Sequence, residues 1–311
     1  MPELAGLRLS ASAAQRTTAA AGERLGRLWE SGTLLGFPKP WSWHRDAQGQ
    51  RCAYVSIDAT GVRQQGPGGA KAEGRMPYVA MVYNPVPDLP AASPYAPPAG
   101  ATMQARYLAG LYDLDDLGLQ LRRQAWQVGM EHADVWIGLT DGGNGLEDFV
   151  RRNFPRDVVL ILDFWHPAQD LAELAALLHP TDAAQAAAQA QQWCQVMKQE
   201  GGKGIVRTLE ALALPPRAKA AREKHSAVLG YLRNNVHRMD YPRYTANGWL
   251  IGSGAVESAC KTVVGQRLKL AGMRWGEEGT DAVCHLRALF RSEPGQWQAF
   301  WRRQVLQPSR N

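Results

Sequence analysis

The sequence predicts an α/β fold, a mixed sheet with helices on its faces. Three observations predict it. Residues 52–60, CAYVSIDAT, alternate with period two, with Val55 and Ile57 on one face and Tyr54, Ser56 and Asp58 on the other. Residues 158–163, VVLILD, are apolar on both faces, as a parallel strand covered on both sides is. Around these runs the pattern returns to helical spacing, and strands alternating with helices build layered α/β architectures.

The elements follow in chain order. Leu7, Ala11, Ala14, Ala21, Leu25 and Leu28 fall at helical spacing and predict a helix over 7–30, with Thr18 as the polar interruption and Ser31-Gly32 as the stop. A Pro/Trp-rich connector occupies 36–50. After the first strand, the polar, glycine-rich stretch 61–75 reads as a second strand running into a loop, and MPYVAMVYNP (76–85) as a third. Pro85, Pro87, Pro90, Pro94, Pro97 and Pro98 crowd residues 85–100, which predicts an extended surface excursion. Residues 114–131 are helical, DVWIGLTD (134–141) is a fourth strand, LEDFVRRNF (146–154) a short helix, and 158–163 the fifth strand. From Pro167, suited to a first helical position, to about Arg238 the pattern is helical, with a break at Gly201-Gly202. GWLIGSG (248–254) is a turn, and helices follow over 255–272 and 281–292, then the aromatic-rich QWQAFW (296–301). The expected organisation is an N-terminal helix and connector over 1–50, a core from 51–166 and 250–311, and a helical insertion over 167–249.

Composition narrows the function. The 311 residues are 45% hydrophobic and 21% charged, which excludes a disordered or fibrous chain. No apolar run approaches the ~20 residues of a membrane-spanning helix. The N-terminus lacks the basic start and apolar core of a signal peptide. Cys52, Cys194, Cys260 and Cys284 form no CxxC pair, so a zinc ribbon or disulfide framework is not indicated and a reducing, cytosolic setting is expected. The formal charge is +6, but residues 217–311 carry 16 Lys+Arg against 7 Asp+Glu, a net of +9, leaving −3 for residues 1–216. That asymmetry suggests an anionic partner, most often nucleic acid. No GxxxxGK[ST] loop is present, which argues against a P-loop ATPase.

Three strands end, or nearly end, in an aspartate: Asp58, Asp141 and Asp163. If those strands run parallel, the carboxylates gather at one sheet edge, where ligands of open α/β sheets collect. Clustered carboxylates repel one another and need a cation to stay ionised, and Mg²⁺ prefers such oxygen ligands. Taken singly, an aspartate at a strand end is more often a turn or cap residue than a ligand, though Asp58 closes a strand-like run where Asp is disfavoured. Glu257, near the start of the helix at 255–272, is the fourth carboxylate, with a helix N-terminal capping role as its plain alternative. Lys261, Arg267 and Lys269 lie on the same helix and Arg274 just beyond. His166 reads as a capping-region residue or a metal ligand. Trp249 and Trp275 read as core, with stacking on unpaired bases as the alternative.

SIDATGV (56–62), LTDGGNGLEDFVRRNFP (139–155), ILDFWHPAQDL (161–171) and the long segment 241–275 carry a resemblance. Over residues 5–301 the chain resembles bacterial insertion-sequence transposases of the DDE type, particularly the Kra-type group, with Mutator-like relatives. The resemblance implies a ribonuclease-H-like fold: first and fourth strands adjacent, each bearing an aspartate, and a helical insertion before a helix that supplies a glutamate. It implies Asp58 and Glu257 as catalytic and metal-holding residues. The second aspartate is Asp141 or Asp163. Topology favours Asp141, leaving Asp163 and His166 as supporting residues. It further implies two Mg²⁺ or Mn²⁺ ions, double-stranded DNA as substrate and target, Lys261, Arg267, Lys269 and Arg274 as phosphate contacts, a homo-oligomer, and a bacterial, nucleoid-associated location. Relatives commonly carry a DNA-binding region ahead of the core. Here one helix precedes the first strand, so an upstream-encoded region is an expected partner.

Overall fold

A computed structural model describes residues 3–4, 7–8, 10–85, 103–143, 145–215, 218–293 and 295–305. The chain opens with β1 (Glu3–Leu4) and β2 (Leu7–Arg8), paired antiparallel, and then α1 (Ala11–Glu30). The helix thus starts four residues later than its periodicity predicts. Ser10 sets the boundary: its backbone is extended and its side chain accepts the Ala13 amide at 3.1 Å, a standard N-cap. Ala21, Leu25 and Trp29 are buried; Gly22 lets α1 approach the Ala282 backbone of α10 (Glu277–Arg291), and Gly26 leaves room for the His285 ring.

The main sheet comprises β3 (His44–Arg45), β4 (Arg51–Ala59), β5 (Tyr78–Asn84), β6 (Gln104–Gly110), β7 (Val135–Thr140) and β8 (Val159–Leu162). Its order is β6–β5–β4–β7–β8, with β3 pairing the start of β4. The pairs β6–β5 and β5–β4 are antiparallel, and β4–β7 and β7–β8 are parallel. Residues 61–75 are not the strand their position suggests. They fold back on themselves through bridges Val62↔Arg75 and Gln65↔Lys71 and touch the later chain at Gln64↔Trp275. Glycine-rich chain has little side-chain surface with which to hold a ladder. The strand the sequence hid is β6. It follows the proline run, of which residues 86–100 lie outside the described residues, and it contains a buried charge. Arg106 donates to Glu293 at 2.8 Å, and Trp41 Nε1 donates to the same carboxylate at 2.5 Å.

Helices cover the sheet. α2 (Leu114–Gln127) lies against β5 and β6, α3 (Leu146–Asn153) against β7, and α10 against β6. α2 stops short of the expected residue 131 because Gly129 turns left-handed and a 3₁₀ turn, Met130–His132, follows. Then come α4 (Trp165–Leu178), α5 (Ala183–Glu210), α6 (Lys219–Asn235), a 3₁₀ turn at Val236–Arg238, and α7 (Tyr241–Ala246), with no strand among the described residues of this stretch. α4 begins at Trp165, two residues before Pro167. The proline still falls in the first turn, where its missing N–H has no intrahelical partner to lose. The break expected at Gly201-Gly202 is present: Gly201 has φ 71 and ψ −167, and the Gly202 amide leaves the helix ladder for Met239 O at 2.9 Å. Leu171, Trp193, Met197, Ile205 and Leu232 from these helices join the same buried core as the sheet.

The predicted helix over 255–272 is compound. It comprises α8 (Gly254–Ala259), a π-helical segment at Cys260–Gly265 and α9 (Gln266–Leu268), which ends short of the expected residue. α11 (Gln296–Val305) is the last element. Among the described residues no helix is long and apolar enough to cross a membrane.

Candidate active site

The register of the parallel strands assembles the site. β4 and β7 pair from Cys52↔Val135 to Ser56↔Leu139, and continuing that register two residues sets Asp58 beside Asp141. β7 and β8 pair up to Thr140↔Leu162, and the next step sets Asp141 beside Asp163, whose amide donates to Thr140 O at 2.8 Å. Three aspartates therefore stand in one row at the C-terminal edge of three adjacent strands, spaced by about 4.8 Å per strand. In-register residues of parallel strands share a face. Asp58, Asp141 and Asp163 accordingly line one cavity of about 310 Å³ together with Trp165, His166, Gln169, Ser253, Val256 and Glu257.

The four carboxylates differ in how they are held. Asp58 is partly buried; its Oδ1 accepts the Ala59 amide at 2.6 Å and its Oδ2 lies 3.4 Å from the Cys260 thiol. Burial raises its carboxyl above the ordinary aspartate range and the charges of Asp141 and Glu257 add to that, while the Ala59 and Cys260 hydrogen bonds oppose it. Asp141 forms an Asx turn, its Oδ1 accepting the Gly143 amide at 2.9 Å. Asp163 is only 2% exposed and has both oxygens occupied: Oδ1 by the Ser253 amide at 2.8 Å and Oδ2 by the His166 amide at 3.0 Å. Burial again raises its carboxyl, opposed chiefly by those backbone donors.

Glu257 lies on α8, exposed, where its Oε1 accepts the Ser253 hydroxyl at 2.5 Å. It does not occupy the capping-box position, which falls on Val256, three residues after the Ser253 cap. Ser253 is the residue before the helix, and its hydroxyl turns to Glu257 rather than to a backbone amide. A relay results, running from Asp163 to the Ser253 backbone and from the Ser253 side chain to Glu257. Sequence reading missed the link that Ser253 makes to Glu257, because nothing local in a GSG turn marks it beyond a capping role. It missed Cys260 as well, which the π-helical segment begins. Such bulges occur preferentially at functional sites.

The insertion closes the row from the other side. Arg238, 3% exposed, donates to Thr140 Oγ1 at 3.0 Å and to Asn235 Oδ1, tying the 3₁₀ turn to the end of β7. The Tyr231 ring lies over Gly142, where any Cβ would collide with it, and 5.7 Å from the His166 ring. His166 is exposed, and its backbone rather than its ring meets Asp163.

Lys261, Arg267, Lys269 and Arg274 are all exposed, and none makes an ion pair among the described residues. Lys269 alone reaches the strand edge, donating to Thr60 Oγ1 at 2.9 Å, two residues beyond Asp58. Trp249 is core, stacked on Tyr244, with Nε1 on Asp46 at 3.2 Å. Trp275 is half-buried and donates to Leu268 O at 3.2 Å.

The donor set suits a hard divalent cation, since it offers carboxylate oxygens and no exposed thiolate. As the side chains stand, no three His, Cys, Asp or Glu among the described residues are grouped so as to hold a metal ion, each carboxylate being turned to its own hydrogen bond. Asp141 Oδ2 and Glu257 Oε2 have no hydrogen-bond partner among the described residues, so rotation of these two side chains into the cavity breaks few contacts. Neither a family model nor a curated protein matches the chain.

Proposed function

We propose that this chain is a DDE-type DNA transposase with a ribonuclease-H-like core, which cuts and joins phosphodiesters with the help of divalent cations. The observation that carries the reading is the row of Asp58, Asp141 and Asp163 across three parallel strands, with Glu257 lining the same cavity. The adjacency of β4 and β7, first and fourth in chain order among the five strands of the sheet path, supports the ribonuclease-H-like part, as do the helices between β8 and α8, which include no strand among the described residues.

Asp58, Asp141 and Glu257 are the residues that would hold two Mg²⁺ or Mn²⁺ ions. Asp141 is favoured over Asp163 as the second catalytic aspartate, because Asp163 is buried and already gives both oxygens to backbone amides. When bound, such ions activate a water or a DNA 3′-hydroxyl and stabilise the leaving oxygen. The protein holds the acids in register on the strands and fixes Glu257 through Ser253. Lys261, Arg267, Lys269 and Arg274 are the candidate phosphate contacts, which makes binding salt-dependent. A homo-oligomer, an upstream-encoded end-recognition region and a nucleoid location complete the proposal.

The test is incubation of the purified chain with Mg²⁺ or Mn²⁺ and duplexes bearing its flanking inverted repeats. Wild type cleaves and joins. Asp58→Asn, Asp141→Asn and Glu257→Gln lose both activities and keep DNA binding. Mg²⁺-dependent cleavage by the Asp58→Asn protein sinks the assignment. Cleavage without joining makes the chain a nuclease, and DNA binding with no wild-type cleavage makes it a non-catalytic assembly protein.

A further inference from the structure

We propose that Arg267, Arg287 and Arg291 together form a binding site for one phosphate group, separate from the carboxylate cavity. The site stands on its own contacts and does not depend on the chemistry of the carboxylates.

Arg287, on α10, is the fixed member. Its Nη2 donates to Thr262 O at 2.6 Å and to Gln266 Oε1 at 3.2 Å, both in the compound helix that carries Glu257. Its guanidinium lies 5.8 Å from the centroid of the Phe290 ring. Arg267 follows Gln266 on α9, and Arg291 lies one turn beyond Arg287 on the same face of α10. Both are exposed. Among the described residues Arg267 donates only to Gln266 O, at 3.4 Å, and Arg291 makes no hydrogen bond. The three charges act on one another: burial pulls the Arg287 guanidinium down, and Arg267 and Arg291 add to that.

No carboxylate offsets this concentration of charge. None of the three arginines makes an ion pair among the described residues, whereas other shielded cations of the fold do: Arg106 has Glu293 at 2.8 Å, Lys224 has Asp170 at 2.7 Å, and Arg238 has Glu147 at 3.6 Å. Like charges held together without a counter-ion oppose folding. The Arg287 Nε is moreover buried with no hydrogen-bond partner among the described residues. Unpaired donors and unopposed positive charge call for an anion. A phosphate suits three guanidiniums, because each planar fork can meet two oxygens and a tetrahedral group presents oxygens in several directions. Tyr107, on β6, flanks the site: the charge of Arg291 counters the rise that burial gives its phenol. Arg267 is ten residues past Glu257, on the order of 15 Å at helical rise, and none of the three arginines lines the carboxylate cavity.

The experiment uses the full chain in metal-free chloride buffer at constant ionic strength, titrated with inorganic phosphate and followed by calorimetry and thermal melts. Wild type binds phosphate and its melting temperature rises. Arg267→Gln and Arg291→Gln, whose exposed side chains pair with no acid, bind it about tenfold more weakly. Without phosphate they melt no lower than wild type, since each loses a like charge. A wild type that binds no phosphate overturns the proposal, as does wild-type affinity in the Arg267→Gln/Arg291→Gln double variant. A paired DNA duplex then separates the sources of the group. If DNA supplies it, the duplex displaces inorganic phosphate and the double variant binds the duplex more weakly. If a free phosphate or nucleotide supplies it, the double variant loses phosphate and keeps its affinity for the duplex. A wild type that binds phosphate but no duplex overturns the transposase reading and leaves the phosphate site standing.

Discussion

At the level of single residues, Asp163 and Asp58 are acids of different kinds. Asp163 accepts two backbone amides in a buried position, so Asp163→Asn replaces one acceptor by a donor facing an N–H. It should lower stability by about 1–3 kcal/mol in urea denaturation and loosen Glu257 through Ser253. Asp58 is raised by burial and by neighbouring acids. A folded-state value above the unfolded one means that its contribution is fully present below the ordinary aspartate range and is lost as pH rises through the raised value. Ionised Asp58 therefore destabilises the metal-free fold at neutral pH. Asp58→Asn should raise the melting temperature there, and the gain should shrink towards the ordinary aspartate range. A pH series of thermal melts in chelator, wild type beside variant, checks it. A gain that grows on acidification contradicts it.

Among the elements, two connections carry unusual constraints. The bend of α5 depends on Gly201, where φ is +71 and an added Cβ would lie 2.8 Å from Met239 O. Gly201→Ala should cost at least about 1 kcal/mol, from the left-handed backbone and the clash together, read as a lower midpoint in denaturant. The end of α10 is tied to β6 by Arg106 and Glu293, side chains 3% and 8% exposed. Burial pulls the Arg106 guanidinium down while Glu293 holds it up. Glu293→Ala leaves that cation unpaired in the interior and should cost about 3–5 kcal/mol, whereas replacing both partners by apolar residues should cost less. A double-mutant cycle measures the difference.

At the scale of the whole molecule, the charge asymmetry becomes a surface. The four exposed cations of 261–274 follow directly on Glu257 in the chain, and Lys269 reaches the strand that bears Asp58. If they hold phosphates, the slope of log affinity against log salt should fall by about 0.9 for each contact removed. Replacing Lys261, Arg267, Lys269 and Arg274 by Gln, singly and together, and titrating DNA binding against salt checks it. An unchanged slope in the quadruple variant moves the DNA elsewhere on the protein.

Much of this was legible in the chain. Period-two alternation and apolar runs marked β4, β5, β7 and β8, because a strand's burial pattern is written locally. The glycine pair marked the bend in α5. The aspartates could be named as strand-end residues. The sequence did not reveal β6, whose buried Arg106 is acceptable only because Glu293, distant in sequence, meets it. It did not show that Ser253 links Asp163 to Glu257, or that Trp165 lines the carboxylate cavity while Trp249 is core. Local periodicity by itself determined most of the helices and the strands β4, β5, β7 and β8. Only the tertiary structure decided their register, and with it which carboxylates stand side by side and which are satisfied by backbone amides. Those properties depend on residues far apart in the chain, which meet only when the sheet and its covering helices close.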